Sequence, residues 1–139
     1  AISATATYRT VALSYEYVGT LTDSILNQVM ADPDYTADNR LLMAGLPDET
    51  RVQDTNALYW YSQYQRSPLF WGGTHGILDC WPTYLYDYHG FNAGGVTLAE
   101  YENIVSSAEF AAMPVYPQAG SITYFGDVLV VKLEENPPQ

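Results

Sequence analysis

Ser121-Ile-Thr-Tyr-Phe-Gly-Asp-Val-Leu-Val-Val-Lys-Leu133 is the stretch whose reading decides the fold. Two runs of β-branched and aromatic residues flank Gly126-Asp127, a two-residue loop with glycine first, which suits a type II′ turn whose first central residue needs a positive φ. A loop of that length sets the register, placing Phe125 opposite Val128, Tyr124 opposite Leu129 and Ile122 opposite Val131. The chain is therefore expected to close on a β-hairpin, with one face that earlier elements must cover.

Working back from the hairpin, Thr97-Leu-Ala-Glu100 reads as a capping box, in which a hydroxyl and a carboxylate satisfy orphan backbone donors at a helix start. A helix is expected over 98–111, with Leu98, Tyr101, Ile104, Val105 and Ala108 on its apolar face, ended by Pro114 and Pro117. Leu41-Leu-Met-Ala-Gly-Leu46 reads as a short buried strand, and a helical crossover would let it pair in parallel with a hairpin strand; the sequence does not rank the strand orders. Residues 8–30 carry Tyr8, Val11, Tyr15, Val18, Thr22, Ile25 and Val29 at alternating steps of three and four, the stripe of a half-buried helix. A break is expected near Gly19, and Asp32-Pro33 ends the element. A further helix is expected over 54–65, and Ser67-Pro68 stops it. The glycine-rich stretch 70–95, which also holds Pro82, reads as loop with one short strand around 84–88. The fold class is an α/β or α+β sandwich, about three helices on a small mixed sheet ending in the hairpin.

Composition narrows the function classes. In 139 residues, 47% are apolar and only 15% charged, which fits one compact globular domain and argues against disorder. Sixteen acids against five bases leave a formal charge of −11, which disfavours phosphate backbones, so no nucleic-acid partner is expected. Cys80 is the sole cysteine and has no internal disulfide partner. No apolar run approaches the ~20 residues of a membrane span. The start, Ala-Ile-Ser-Ala-Thr-Ala-Thr, carries neither an initiator Met nor the pattern of a signal peptide, so a fragment of a longer protein, or a processed one, is expected. Glu134-Glu-Asn-Pro-Pro-Gln139 reads as a polar, solvated tail.

Eleven of the twenty aromatic residues, including every Trp, fall between Tyr59 and Phe91. Flat rings beside acids and amides such as Asp79, Asp87 and Asn92 suit a sugar, which offers apolar C–H faces and a hydroxyl rim. The candidate glycan contacts are Trp60, Trp71, Trp81, Tyr84, Tyr86, Tyr88, Asp87 and His89. The plainer alternative is that these rings fill a core or dock on another domain. His75, Asp79, Cys80, Asp87 and His89 match no zinc spacing, so no metal is expected. Asp32-Pro-Asp-Tyr-Thr-Ala-Asp38 lacks a calcium loop's glycine, with Ala37 in its place, and its final acid, with Met43 there. Trp71-Gly-Gly-Thr-His-Gly76 lacks the lysine and hydroxyl of a phosphate loop, and no nucleophile elbow frames Ser62 or Ser67 for a site with His75 and Asp79. No cofactor and no catalytic residue are assigned.

Met113-Pro-Val-Tyr-Pro-Gln-Ala-Gly-Ser-Ile122 followed by Gly126-Asp-Val-Leu-Val-Val-Lys-Leu133 resembles the closing segment of bacterial multi-spanning membrane glucosyltransferases, which end in a soluble extracytoplasmic domain with a related MP-x-YP-x-x-GS run and a VVKL strand. Ile25-Leu-Asn-Gln-Val-Met30 before Leu41-Leu-Met-Ala-Gly45 is similar too. The likeness touches the first third and last quarter of the chain and leaves the aromatic middle uncovered. It implies an accessory domain at the extracytoplasmic face of the bacterial membrane, partnered by the membrane-embedded part of the same polypeptide and by an acceptor glycan, with catalysis elsewhere. Three alternatives stand beside it: a structural domain docking its aromatic segment on a partner, a small secreted binding module, and a free-standing enzyme using His75 or His89.

Overall fold

The computed structural model describes residues 4–47 and 72–139, with side chains from Glu16 onward. The helix expected over 54–65, Trp60, Trp71, Ser62 and Ser67 lie outside the described residues. The chain divides into two compact units, one holding 1–33 and 47–71, the other 34–46 and 72–139.

In the first unit, α1 runs Ala4–Ala31 and ends as expected before Asp32-Pro33. Val18, Thr22, Ile25 and Val29 are buried at the predicted three-four spacing. The break expected at Gly19 is absent. One glycine costs a helix only about 1 kcal/mol, less than a stripe of fully buried side chains returns. The Thr22 hydroxyl donates to the Val18 carbonyl, so even its polar atom is spent inside the helix.

The second unit is built on three strands, β1 (Arg40–Ala44), β2 (Ile122–Phe125) and β3 (Val128–Lys132), in the order β1-β3-β2. The hairpin register is the predicted one, and Gly126 takes φ 64° at the turn. β1 pairs with β3 in parallel, Arg40 opposite Val128 and Ala44 opposite Lys132. As the central strand, β3 is buried at every position, the pattern of a strand covered on both faces. Between β1 and β2 lie α2 (Trp81–His89), α3 (Leu98–Val105) and α4 (Ala108–Ala112). This is the expected α/β class: helices packed with a small mixed sheet.

One core cluster joins Leu42, Ala44, Val128 and Val130 of the sheet to Ile77, Tyr101, Ile104, Phe110 and Met113. The capping box forms as read: the Glu100 amide donates to the Thr97 hydroxyl at 3.2 Å and the Thr97 amide to the Glu100 carboxylate at 3.1 Å. The helix expected over 98–111 instead breaks at Ser106-Ser107. Ser107 serves as N-cap of α4, its hydroxyl accepting from the Phe110 amide, so a residue that competes for backbone bonds restarts the helix on a new axis. Leu98 and Ala108, expected on the apolar face, are exposed.

The final residues are polar, yet they are tethered. The Glu134 carboxylate accepts from the Leu46 amide at 2.9 Å, Glu135 reaches Lys132, and the Tyr101 hydroxyl donates to the Pro138 carbonyl. Gly45 takes φ 145° beneath this strap, where a Cβ would come within 2.7 Å of Leu133.

Candidate functional site

The largest departure from the sequence reading is the stretch 73–89, expected as loop with a strand near 84–88 and found as continuous helix. A short turn Gly73–His75, a π-helical turn Gly76–Cys80 and α2 follow without a gap. The Trp81 amide donates to the Gly76 carbonyl across the widened turn. Pro82 lies inside this continuous helix, directly after the π-helical turn, a place where the widened backbone can take a proline ring. Gly90 (φ 63°) closes the helix in a left-handed cap: its amide donates to the Tyr86 carbonyl, the single bond of an αL motif, and the Phe91 amide donates to the Leu85 carbonyl.

Helical geometry decides which rings face outward. Ile77, Trp81, Tyr84 and Leu85 follow steps of four, three and one, and all are buried. Trp81 is 0% exposed, donates its indole N–H to the Gly45 carbonyl at 2.8 Å and meets Tyr84 edge-on at 5.8 Å. As candidate glycan contacts, Trp81 and Tyr84 are therefore corrected to core residues. The reason is positional: the face of the helix that meets the sheet takes the largest rings.

Tyr86 and Tyr88 are 66% and 64% exposed. Two residues apart on a helix, they point to different sides and do not make one platform. Tyr88 lies one turn beyond Tyr84 and is braced on it, ring centres 5.1 Å apart at 31°. His89, half-buried, places its ring 5.1 Å from Tyr84 and Nε2 3.2 Å from the Tyr84 hydroxyl. Asp87 is exposed between the two outward tyrosines. The candidate site is thus Tyr88 with His89, both placed against the Tyr84 ring. Tyr86 projects from a different side of the helix.

The remaining polar candidates disperse. His75 Nδ1 lies 2.9 Å from Asp79 Oδ2 in an exposed pair one turn apart. Cys80 is half-buried, and burial with the charge of Asp79 pushes its thiol up, the opposite of an activated nucleophile. The Asn92 side chain closes a turn onto the Gly94 amide. Among the described residues no three His, Cys, Asp or Glu side chains converge on a metal position. Residues 36–39 form a turn in which Asn39 Oδ1 accepts from the Thr36 amide at 2.8 Å while its Nδ2 donates to the Asp127 carbonyl at 3.2 Å. A crevice of about 10 Å³ beside β1, lined by Leu41, Met43, Ile77, Trp81, Leu85 and Val96, is apolar and has room for about one water.

Two charged side chains that the sequence reading left unassigned prove to be anchors. Arg40 engages every N–H it has: Nε and Nη2 to Asp127, Nη1 and Nη2 to Glu100, and Nη1 to the Gly95 carbonyl. The guanidinium holds the Glu100 carboxyl down to about 2 and lowers Asp127 as well. Lys132, fully buried, donates to the Phe110 and Met113 carbonyls at 2.8 and 2.9 Å and lies 4.6 Å from the Phe110 ring centre. A single lysine inside Val130-Val131-Lys132-Leu133 is the sequence signal for such an anchor.

Among the described residues, no helix is long and apolar enough to cross a membrane. Compared with protein-family models, curated proteins and solved structures, the chain matches none.

Proposed function

We propose that this chain is a non-catalytic accessory domain of a bacterial membrane glycosyltransferase, placed on the extracytoplasmic side, that touches the acceptor glycan of the cell envelope through Tyr88. The observation that carries the proposal is one ring, 64% exposed and braced at a 31° tilt on a second ring 5.1 Å away. An exposed aromatic that is already braced loses little freedom when a sugar stacks on it. His89, which shares the Tyr84 ring, and the exposed Asp87 next to Tyr88 in the chain supply polar atoms for hydroxyls. The resemblance of the closing segment to membrane glucosyltransferases supplies the context, and the dispersal of the polar candidates favours an assisting role over a reacting one.

A specific observation favours a second role for the same domain. Tyr86 points away from Tyr88, and an outward ring separate from the glycan face suits contact with the membrane-embedded part of the same polypeptide.

Reading the native gene upstream of Ala1 tests the context: the proposal expects an open frame encoding several apolar segments of ~20 residues. A start codon or a cleavable signal immediately upstream overturns it. Tyr88→Ala tests the contact, with an expected loss of glycan binding and unchanged helix content by circular dichroism. Tyr86→Ala should leave glycan binding intact. Equal binding by wild type and Tyr88→Ala removes Tyr88 from the reading.

A further inference from the structure

We infer that the slot across Gly45, Leu46 and Tyr101 is a peptide-binding site, filled here by the chain's own residues 134–138, and that it takes from a partner protein an extended segment of the same chemistry, two carboxylates followed by prolines. The inference is independent of the glycan contact at Tyr88. What the slot recognises follows from what fills it. Past Leu133, whose amide still donates to the Ala44 carbonyl, the strap leaves the sheet and crosses Gly45. The Glu134 carboxylate accepts from the Leu46 amide at 2.9 Å, and Glu135 lies 3.4 Å from the buried ammonium of Lys132. Pro137 is buried, and the Pro138 carbonyl accepts from the Tyr101 hydroxyl. Each contact asks for one kind of group: an acid for a backbone donor, an acid for a cation, an apolar ring, and a main-chain carbonyl.

Gly45 fixes the path. A Cβ there would stand 3.0 Å from both the amide nitrogen and Cγ of Glu134, so the floor of the slot admits a close backbone only because it carries no side chain. The occupant is loosely kept. Glu135 and Asn136 are exposed, and ordering residues 134–138 forfeits backbone entropy comparable with what the three polar contacts and the buried Pro137 return. The strap therefore opens more readily than the sheet beneath it. An extended, proline-bearing segment has little freedom left to lose on docking, which lets one from another protein compete for the vacated slot.

The test uses the full chain and a labelled peptide of residues 134–139, Glu-Glu-Asn-Pro-Pro-Gln. Glu134→Ala in the chain weakens the built-in occupant and leaves the slot intact. The expected result is that this variant binds the peptide about tenfold more tightly than wild type, the worth of one hydrogen bond to a charged group. Bound peptide should slow hydrogen exchange at the Leu46 amide, and a peptide with alanine at both acids should bind about tenfold more weakly or worse. Pro137→Ala, which loosens the strap without touching its carboxylates, repeats the comparison should Glu134→Ala lose helix content by circular dichroism. No peptide binding by either loosened variant overturns the proposal. So does binding that is equal in wild type and the loosened variant, or that leaves exchange at Leu46 unchanged, because the peptide is then held somewhere other than the slot.

Discussion

The parallel pair β1–β3 is pinned at its two ends by opposite means. Where the strands begin, Arg40 is held by two carboxylates, Asp127 at the hairpin tip and Glu100 in the first turn of α3, with side-chain exposures of 24%, 54% and 38%. Where they end, Lys132 is fully buried and held mainly by neutral groups: the carbonyls of Phe110 and Met113, and the Phe110 ring. Surface ion pairs are weakened by water and salt and contribute modestly. A buried cation has no water to fall back on, and its protein partners are left unsatisfied if it is removed. The same sheet thus carries one anchor that salt can loosen and one that it barely reaches.

The largest effect is expected at the buried end. Lys132→Met keeps the apolar stem and removes the ammonium, leaving two inward carbonyls without their donor; the expected destabilisation is about 3 kcal/mol, measured by urea unfolding. A loss no larger than that of an exposed substitution would mean that Phe110 and Met113 find other donors, and the contrast between the ends would collapse. Arg40→Lys comes next. It preserves the charge and discards both two-point grips, so a fall of a few degrees in Tm is expected, together with a weaker dependence of Tm on salt. If wild type and Arg40→Lys respond alike to salt, the clamp is not electrostatic in character.

The buried end also explains what the recognisable closing motif is for. Met113 supplies a carbonyl to Lys132, the Tyr116 amide donates to the Lys132 carbonyl, Gly120 takes φ 92°, and the Ser121 carbonyl accepts from the Lys132 amide. The run from Met113 to Ser121 is a socket built around one lysine.

This is also why some of the molecule was legible in the sequence and some was not. The hairpin and the capping box were readable because their signals are local: alternation, a glycine-first loop, and a hydroxyl three residues from a carboxylate. The stretch 73–89 was misread because its glycines were counted as loop content when they are punctuation. Gly72 and Gly73 open the helix and Gly90 caps it, while Pro82 directly follows a π-helical turn. Once the segment is helical, the period of 3.6 puts Trp81, Tyr84 and Tyr88 on one stripe; the first two are buried, and Tyr88, in the last turn of the helix, is exposed. Lys132 and Arg40 were missed for another reason. Their partners stand 19 to 22 and 55 to 87 residues away, and no local pattern encodes such pairings.

The two ends should also part company with pH. Glu100 drops from 4.5 to about 2 and Asp127 is lowered too, so in acid the unfolded chain binds protons that the folded one refuses. The stability from the Arg40 clamp is then fully present above pH 4.5 and is lost as pH falls towards about 2. Unfolding midpoints measured from pH 6 downward should fall steeply over that window in wild type and more gently in Glu100→Gln, which starts lower because it has lost the charge already. Parallel curves would break the assignment of acid sensitivity to this end.

The smallest expected effect comes from the strap over the opposite end, and its sign is reversed. The Tyr101 hydroxyl donates to the Pro138 carbonyl, and burial, aided by the charge of Glu134, pushes its ionisation up to about 12 from 10.0. An unfolded tyrosine ionises first as pH rises, so this contribution is intact below pH 10 and drains away between 10 and about 12. Tyr101→Phe keeps the ring in the core and removes the donor, with an expected cost of about 1 kcal/mol at neutral pH. The variant should lose less stability than wild type when both are taken into that alkaline window, and a hydroxyl titrating near 12 should vanish from its ultraviolet difference spectrum. If wild type and variant weaken in step above pH 10, the alkaline limit belongs to other tyrosines and the strap is held by Glu134 and Glu135 alone; if they diverge, the sheet is sensitive to acid where its strands begin and to alkali where they end.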